Sequence, residues 1–227
     1  MKNHLKRIAA PRTWAIDRKA GVYTTRPKPG AHSLDCGLPL GIVLRDMLHL
    51  AHTMPEAKKL LNNNDVLIDG TRRKSHRFMV GLFDVVSFPS LKKQYRMTLD
   101  VKGRLTIQEL DEKERELKLC KVVGKSVLPK GKIQYNLHDG KNITGDIKAK
   151  VGDTVLLTLP KADVKDVFSR EKGAAVFLVG GKGKGNKGTL QSVEGDDAVY
   201  DKDGATIETA TEHLFVIGKG KPALTFN

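Results

Sequence analysis

The chain has 227 residues, enough for one large domain or two to three small ones, with 39% hydrophobic and only 5% aromatic residues. Forty Lys/Arg against 26 Asp/Glu give a net charge of +14, which favours a nucleic acid or another anionic surface as partner. No apolar run approaches the ~18–20 residues of a membrane span, no continuous apolar stretch marks a signal peptide, and Cys36 and Cys120 form no C-x-x-C pair. A reducing, cytoplasmic setting is the simplest expectation.

The first 30 residues hold eight cations, Lys2, Lys6, Arg7, Arg12, Arg18, Lys19, Arg26 and Lys28, against one acid, Asp17. Pro11, Pro27 and Pro29 interrupt the segment, and no apolar period runs through it, so residues 1–38 read as a basic arm suited to lying along polyphosphate. Trp14 sits between Arg12 and Arg18, where it would either stack on a base or dock the arm on the protein. From Pro39 the segment PLGIVLRDMLHLAH has helical spacing. Thr53, Pro55 and Glu56 predict a capping box for a second short helix, which runs into asparagines. Val66–Ile68, a turn at Asp69-Gly70 and the run 82–88 read as strands, closing an α+β unit over 39–92.

Residues 93–170 are β-rich: RMTLDV, RLTIQEL and KIQYNL alternate, TVLLTLP is continuously apolar, and LDEKERELK reads as a charged, helical turn. Residues 171–227 contain five short strands, the pattern of a small barrel. The expected fold class is therefore α+β and multi-domain: a helix-pair/β domain, a β-rich centre and a C-terminal barrel.

Two further basic sets stand out. Lys58 and Lys59 on the second helix, with Arg72, Arg73, Lys74 and Arg77 after the turn, would form a phosphate-contacting face. Gly183-x-Gly185-x-x-Gly188 matches the dinucleotide fingerprint in letters only, because strand and turn follow where a helix is required. The choice there is between a plain hairpin loop and a Lys/Gly loop, with Lys182, Lys184 and Lys187, lying close to a sugar–phosphate backbone. His49 and His52, three apart on the first predicted helix, lack further ligands, so no metal is expected. No nucleophile elbow or paired carboxylates point to catalysis, and neither a cofactor nor a small-molecule substrate is expected.

The segments HLKRIAAPRTWAIDRKAGVYTTRPKPGAH, LKLCKV, HDGKNI, VFLVGGKGKGNKGTL and HLFVIGKGKP, in that order, resemble the eS-four family of small-subunit ribosomal proteins, in its shorter archaeal form. The resemblance implies an S-four-type RNA-binding domain over 39–92, a central β domain over 93–170, and an SH3-like barrel with a KOW motif over 171–227. It also implies binding to 16S-type rRNA beside neighbouring small-subunit proteins. Where bacterial relatives of that RNA-binding domain carry Ser-Arg-x-x-Ala-Arg on the second helix, this chain has TMPEAKKLL. Lys58 and Lys59 thus offer point charges rather than the bidentate forks of arginine.

Overall fold

A computed structural model describes residues 3–145 and 147–225. The chain is mostly β, with several sheets and few helices, and divides into two compact units.

The first unit comprises residues 1–98 and 104–115. It starts with β1 (Leu5–Lys6) and β2 (Tyr23–Thr24), an antiparallel ribbon in which Lys6 faces Tyr23 and Leu5 faces Thr24. Next come β3 (Gly37–Pro39), α1 (Leu40–Ile42) and α2 (Met54–Asn63). The strands β4 (Leu67–Ile68), β5 (Thr71–Arg72), β6 (Met79–Gly81), β7 (Val85–Phe88), β8 (Lys93–Leu99) and β9 (Leu105–Glu109) follow. β3 pairs with β6, and the main sheet has the order β5-β4-β7-β8-β9.

The capping box is present as the sequence predicts. Thr53 Oγ1 accepts the Glu56 N–H at 3.4 Å, and the Glu56 carboxylate accepts the N–H groups of Thr53 and His52 at 3.3 and 2.9 Å. Ala57 and Leu61, four apart, bury one face of α2 and leave Lys58 and Lys59 exposed. The Asp69-Gly70 turn has both residues at positive φ (50° and 77°), the geometry a two-residue hairpin between β4 and β5 requires.

The first predicted helix is much shorter than its apolar spacing suggests. After Ile42 the backbone widens into a π turn over Val43–Met47, with the Leu48 N–H reaching the Val43 carbonyl at 3.0 Å. His49 then turns to φ 52°, so His49 and His52 do not share a helical face. Gly41, just before this turn, sits close to its neighbours: a Cβ there would press on Met54 Sδ and the His76 carbonyl.

The second unit comprises residues 99–103 and 116–227. Its strands are β10 (Leu117–Val127), β11 (Ile133–Leu137), β12 (Asn142–Thr144), β13 (Thr154–Thr158), β14 (Asp163–Phe168), β15 (Ala175–Leu178), β16 (Lys187–Glu194), β17 (Asp197–Lys202), β18 (Ala205–Ala210) and β19 (Leu214–Gly218). They form two five-stranded antiparallel sheets, β12-β11-β10-β13-β14 and β18-β17-β16-β15-β19. The long β10 changes partner at a bulge between Val122 and Gly124: its first half pairs with β13, its second with β11. Cys120, Val122, Tyr135, Leu137, Val155 and Leu157 pack one core against this sheet.

Candidate nucleic-acid interface

The N-terminal segment does not trail from the first unit but packs on it. Trp14 is 2% exposed, and its indole N–H donates to the Leu34 carbonyl at 3.0 Å. Its neighbour Thr13 offers a carbonyl to the Leu105 N–H at 2.7 Å. Of the two roles open to Trp14, docking the arm is the one its burial leaves; placing it among RNA contacts is corrected accordingly. Arg18 is likewise committed to folding, because its guanidinium donates to the carbonyls of Ile8, Ala10 and Pro11 at 3.0, 2.8 and 2.7 Å. Arg7 sends Nε to the Asp17 carbonyl at 2.6 Å. Lys6, Arg12, Lys19, Arg26 and Lys28 remain exposed, and Lys2 lies outside the described residues.

Two of the predicted cations, Lys28 and Arg77, far apart in sequence, are joined next to His76, and Lys58 lies near enough to act on that ring electrostatically. Arg77 Nε donates to the Arg26 carbonyl at 2.8 Å, and the Lys28 N–H donates to the Arg77 carbonyl at 2.8 Å, which stitches the arm onto the loop before β6. The His76 pKa is held below the usual histidine value, first by burial and then by the positive charges of Lys58, Arg77 and Lys28. Among the described residues no carboxylate forms an ion pair with Lys28, Lys58 or Arg77. An uncompensated set of cations on packed elements is what a phosphate contact needs: charge without a resident partner, held in place.

The rest of the Arg72–Arg77 cluster is divided. Arg72 pairs with Asp65 at 2.7 Å and reaches the Asn62 carbonyl at 3.4 Å. Arg73 lies over the Phe78 ring at 4.4 Å, a cation–π contact within the protein. Lys59 and Lys74 are exposed.

The glycine loop of the second unit is a packed structure. At Gly185, with φ 89°, a Cβ would collide with the Asp100 carbonyl oxygen. At Gly188 it would collide with the Asp201 carbonyl, and at Gly183 it would meet Tyr200 Oη at 2.9 Å. Gly185 and Gly188 let protein backbone approach protein backbone, and Gly183 leaves room for the Tyr200 side chain. Lys184 lays its stem over Gly103, and burial holds the half-buried Lys187 below the usual lysine pKa. Lys182 stands exposed.

Four cations that the sequence reading did not single out, Lys125, Lys132, Lys148 and Lys150, are exposed around the β10–β11 sheet. The positive excess of that part of the chain was the available signal. Lys118, by contrast, is fully buried and pairs with Asp139 at 2.8 Å. Burial alone would raise the Asp139 carboxyl, but the charge and hydrogen bond of Lys118, aided by His138 and Lys141, outweigh it and hold the pKa below the usual value. Cys120, His138 and Asp139 offer donor atoms within 4.8 Å of one another. That set is already engaged: Asp139 holds the Lys118 ammonium, and His138 Nδ1 accepts the Lys121 N–H at 3.2 Å. The cation at this locus is a lysine.

The chain is similar to known proteins over nearly its whole length. Residues 1–35 match the RS4NT (NUC023) domain and residues 91–164 match Ribosomal family S4e. Proteins named small ribosomal subunit protein eS4 are similar over nearly the whole chain. The one from Methanosphaera stadtmanae is 40% identical, covering 99% of this chain and 95% of its own. That of Methanocella arvoryzae is 38% identical, covering 98% and 97%. The crystal structure of the 30S ribosomal protein S4e from Thermoplasma acidophilum superposes with a TM-score of 0.70 at 25% identity, covering 81% of this chain and 95% of that one.

Proposed function

The chain belongs to the ribosomal S4e family, a family of ribosomal proteins rather than enzymes, and from that premise we propose that it holds 16S-type rRNA chiefly through phosphate contacts around Lys28, Lys58 and Arg77. Its role is that of a structural constituent of the small ribosomal subunit. The observation that carries the proposed site is the pair of hydrogen bonds that ties the arm at Arg26 and Lys28 to Arg77 beside His76, with no carboxylate paired to Lys28, Lys58 or Arg77 among the described residues. The exposed Lys6, Arg12, Lys19, Arg26, Lys59 and Lys74 extend the same basic surface within the first unit.

In this reading residues 39–92 act as an S-four-type RNA-binding domain behind the arm, 93–170 as the central β domain and 171–227 as a KOW barrel. Lysines on α2 fix register on the sugar–phosphate backbone without reading bases, because a single ammonium lacks the planar fork that pairs with a base edge. Lys182, the exposed lysine of the glycine loop, reaches rRNA or a neighbouring small-subunit protein. The protein works on cytoplasmic ribosomes, and no helix among the described residues is long and apolar enough to cross a membrane.

The test is co-sedimentation of the full chain with archaeal small subunits after a high-salt wash. Retention at near one copy per subunit is expected. Complete loss into the supernatant, with RNA binding kept by the free protein, would instead mark an accessory factor.

A further inference from the structure

The β1–β2 ribbon holds an aromatic side chain out in solvent. Tyr23 is 57% exposed and, among the described residues, it is the only Trp, Tyr or Phe in the exposed class. The other tyrosines are half-buried (Tyr95) or buried (Tyr135 and Tyr200, 2% and 0% exposed). An aromatic ring left in water forgoes one of the largest burial gains available to a side chain, so a ring held out on an ordered strand is poised for a contact.

The ribbon's alternation puts that ring in charged company. Tyr23 lies directly opposite Lys6, while Leu5 and Thr24 turn to the half-buried side. His4, two residues before Lys6 and so on the same face, sets its ring 5.3 Å from the Tyr23 ring at 44°. Ile8, 80% exposed, follows in the next turn. The one acid of the first 30 residues, Asp17, is engaged locally, its Oδ1 accepting the Lys19 N–H at 3.0 Å and its carbonyl accepting Arg7 Nε at 2.6 Å.

We propose that the outer face of this ribbon is a stacking site for an unpaired RNA base, with Tyr23 as the platform and His4 beside it, while Lys6 holds the adjoining phosphate. The inference rests on the rRNA-binding reading above and adds to it a contact of a different kind, made to a base face rather than to phosphate. Duplex RNA does not fit: its bases are stacked on one another, and only splayed nucleotides in loops, bulges and ends present a face to a ring. A hydrophobic pocket on a protein fits poorly too, since it would have to accept Lys6 beside the ring, whereas a polyanion with an exposed base satisfies both groups.

The experiment uses the full chain and a 16S rRNA transcript carrying 5-iodouridine in place of uridine, which couples on irradiation to aromatic rings stacked on it. Mass spectrometry is expected to find a crosslink on Tyr23. Tyr23→Ala should abolish it and weaken binding about 5- to 100-fold, with the slope of affinity against salt unchanged because no charge is lost. Tyr23→Phe should retain both crosslink and affinity. Crosslinks confined to residues around Lys58 and Arg77, or Tyr23→Ala binding like wild type, would overturn the stacking site and leave the phosphate-contact reading intact. Failure of the wild-type chain to bind the transcript at all would overturn both.

Discussion

Neutralising the triplet at His76 separates a phosphate site from an ordinary solvated surface. The variant Lys28→Gln/Lys58→Gln/Arg77→Gln removes three positive charges that no carboxylate balances among the described residues. Each phosphate contact contributes about 0.7–0.9 to the slope of log affinity against log salt, so three contacts contribute about 2 to 2.7. Between 50 and 200 mM salt, a fourfold change, that slope makes wild-type binding fall about 20- to 40-fold further than binding by the variant. The assay is filter binding or anisotropy with 16S rRNA across that salt range. A second readout checks that the charges were removed where the geometry puts them. The His76 pKa is held down partly by Lys58, Arg77 and Lys28, so its NMR titration should move upward toward the ordinary histidine value in the variant. The reasoning fails if His76 shifts as expected while the salt slope stays at its wild-type value, for the cations would then be present at the site and idle toward RNA.

Three other outcomes follow from the structure. Asp139→Asn should cost about 3–5 kcal/mol, since it takes the carboxylate from the buried Lys118 ammonium, and Lys118→Met should cost less, since Lys141 at 3.7 Å still faces Asp139; the double variant should recover most of the larger loss, calorimetry measures it, and additive losses would refute the coupling. Gly185→Ala should cost about 3–4 kcal/mol, from a positive φ plus collision with the Asp100 carbonyl, whereas Gly204→Ala, at φ 84° with open space around it, should cost about 1–2 kcal/mol by urea unfolding. Lys121, which donates to the Glu212 and Leu214 carbonyls, has its pKa pushed down to about 8 by burial and then by Arg170. Between that value and the ordinary 10.5 the unfolded chain binds more protons, so stability rises with pH by up to about 3 kcal/mol, and Lys121→Met should flatten the rise in unfolding curves taken from pH 8 to 10.

Local signals carried far along this chain. The capping box at Thr53 and Glu56, the Asp69-Gly70 hairpin and the alternating segments that became β8, β9 and β11 all formed where their chemistry placed them. What was not legible depended on tertiary contact. The apolar spacing from Pro39 runs to His52, but α1 closes after Ile42 and the chain passes through a π turn before His49 takes a positive φ, which no local periodicity encodes. β10 was hidden because its first residues follow a dense run of charges, yet Lys118 within it pairs with Asp139 and so becomes a core residue. β14 reads Asp-Val-Lys-Asp-Val-Phe, too polar to flag as a strand; it sits at the edge of its sheet, where charged side chains are tolerated. The arm offered no apolar period because it borrows its core, with Trp14 buried where the arm bridges to Leu105.

That borrowing changes what a charge count means. A run of eight cations in 30 residues looks like a uniform hook for polyphosphate. In the folded chain Arg18 is spent on three carbonyls and Arg7 on one, while Arg72 answers Asp65 and Arg73 covers Phe78. Guanidinium groups, with their several donors in a fixed fork, are the cations best able to satisfy backbone carbonyls, so Arg7 and Arg18 are drawn into the fold while Arg12 and Arg26 stay exposed. The strongly hydrated ammonium groups of Lys6, Lys19, Lys28, Lys58 and Lys59 stay at the surface. The exposed charge of the arm and α2 is therefore mainly lysine, a point charge that suits phosphate better than a base edge. What the cations lack is a contact to the base itself, and within the first unit Tyr23 is the exposed ring placed to make one, with any unpaired base, by stacking.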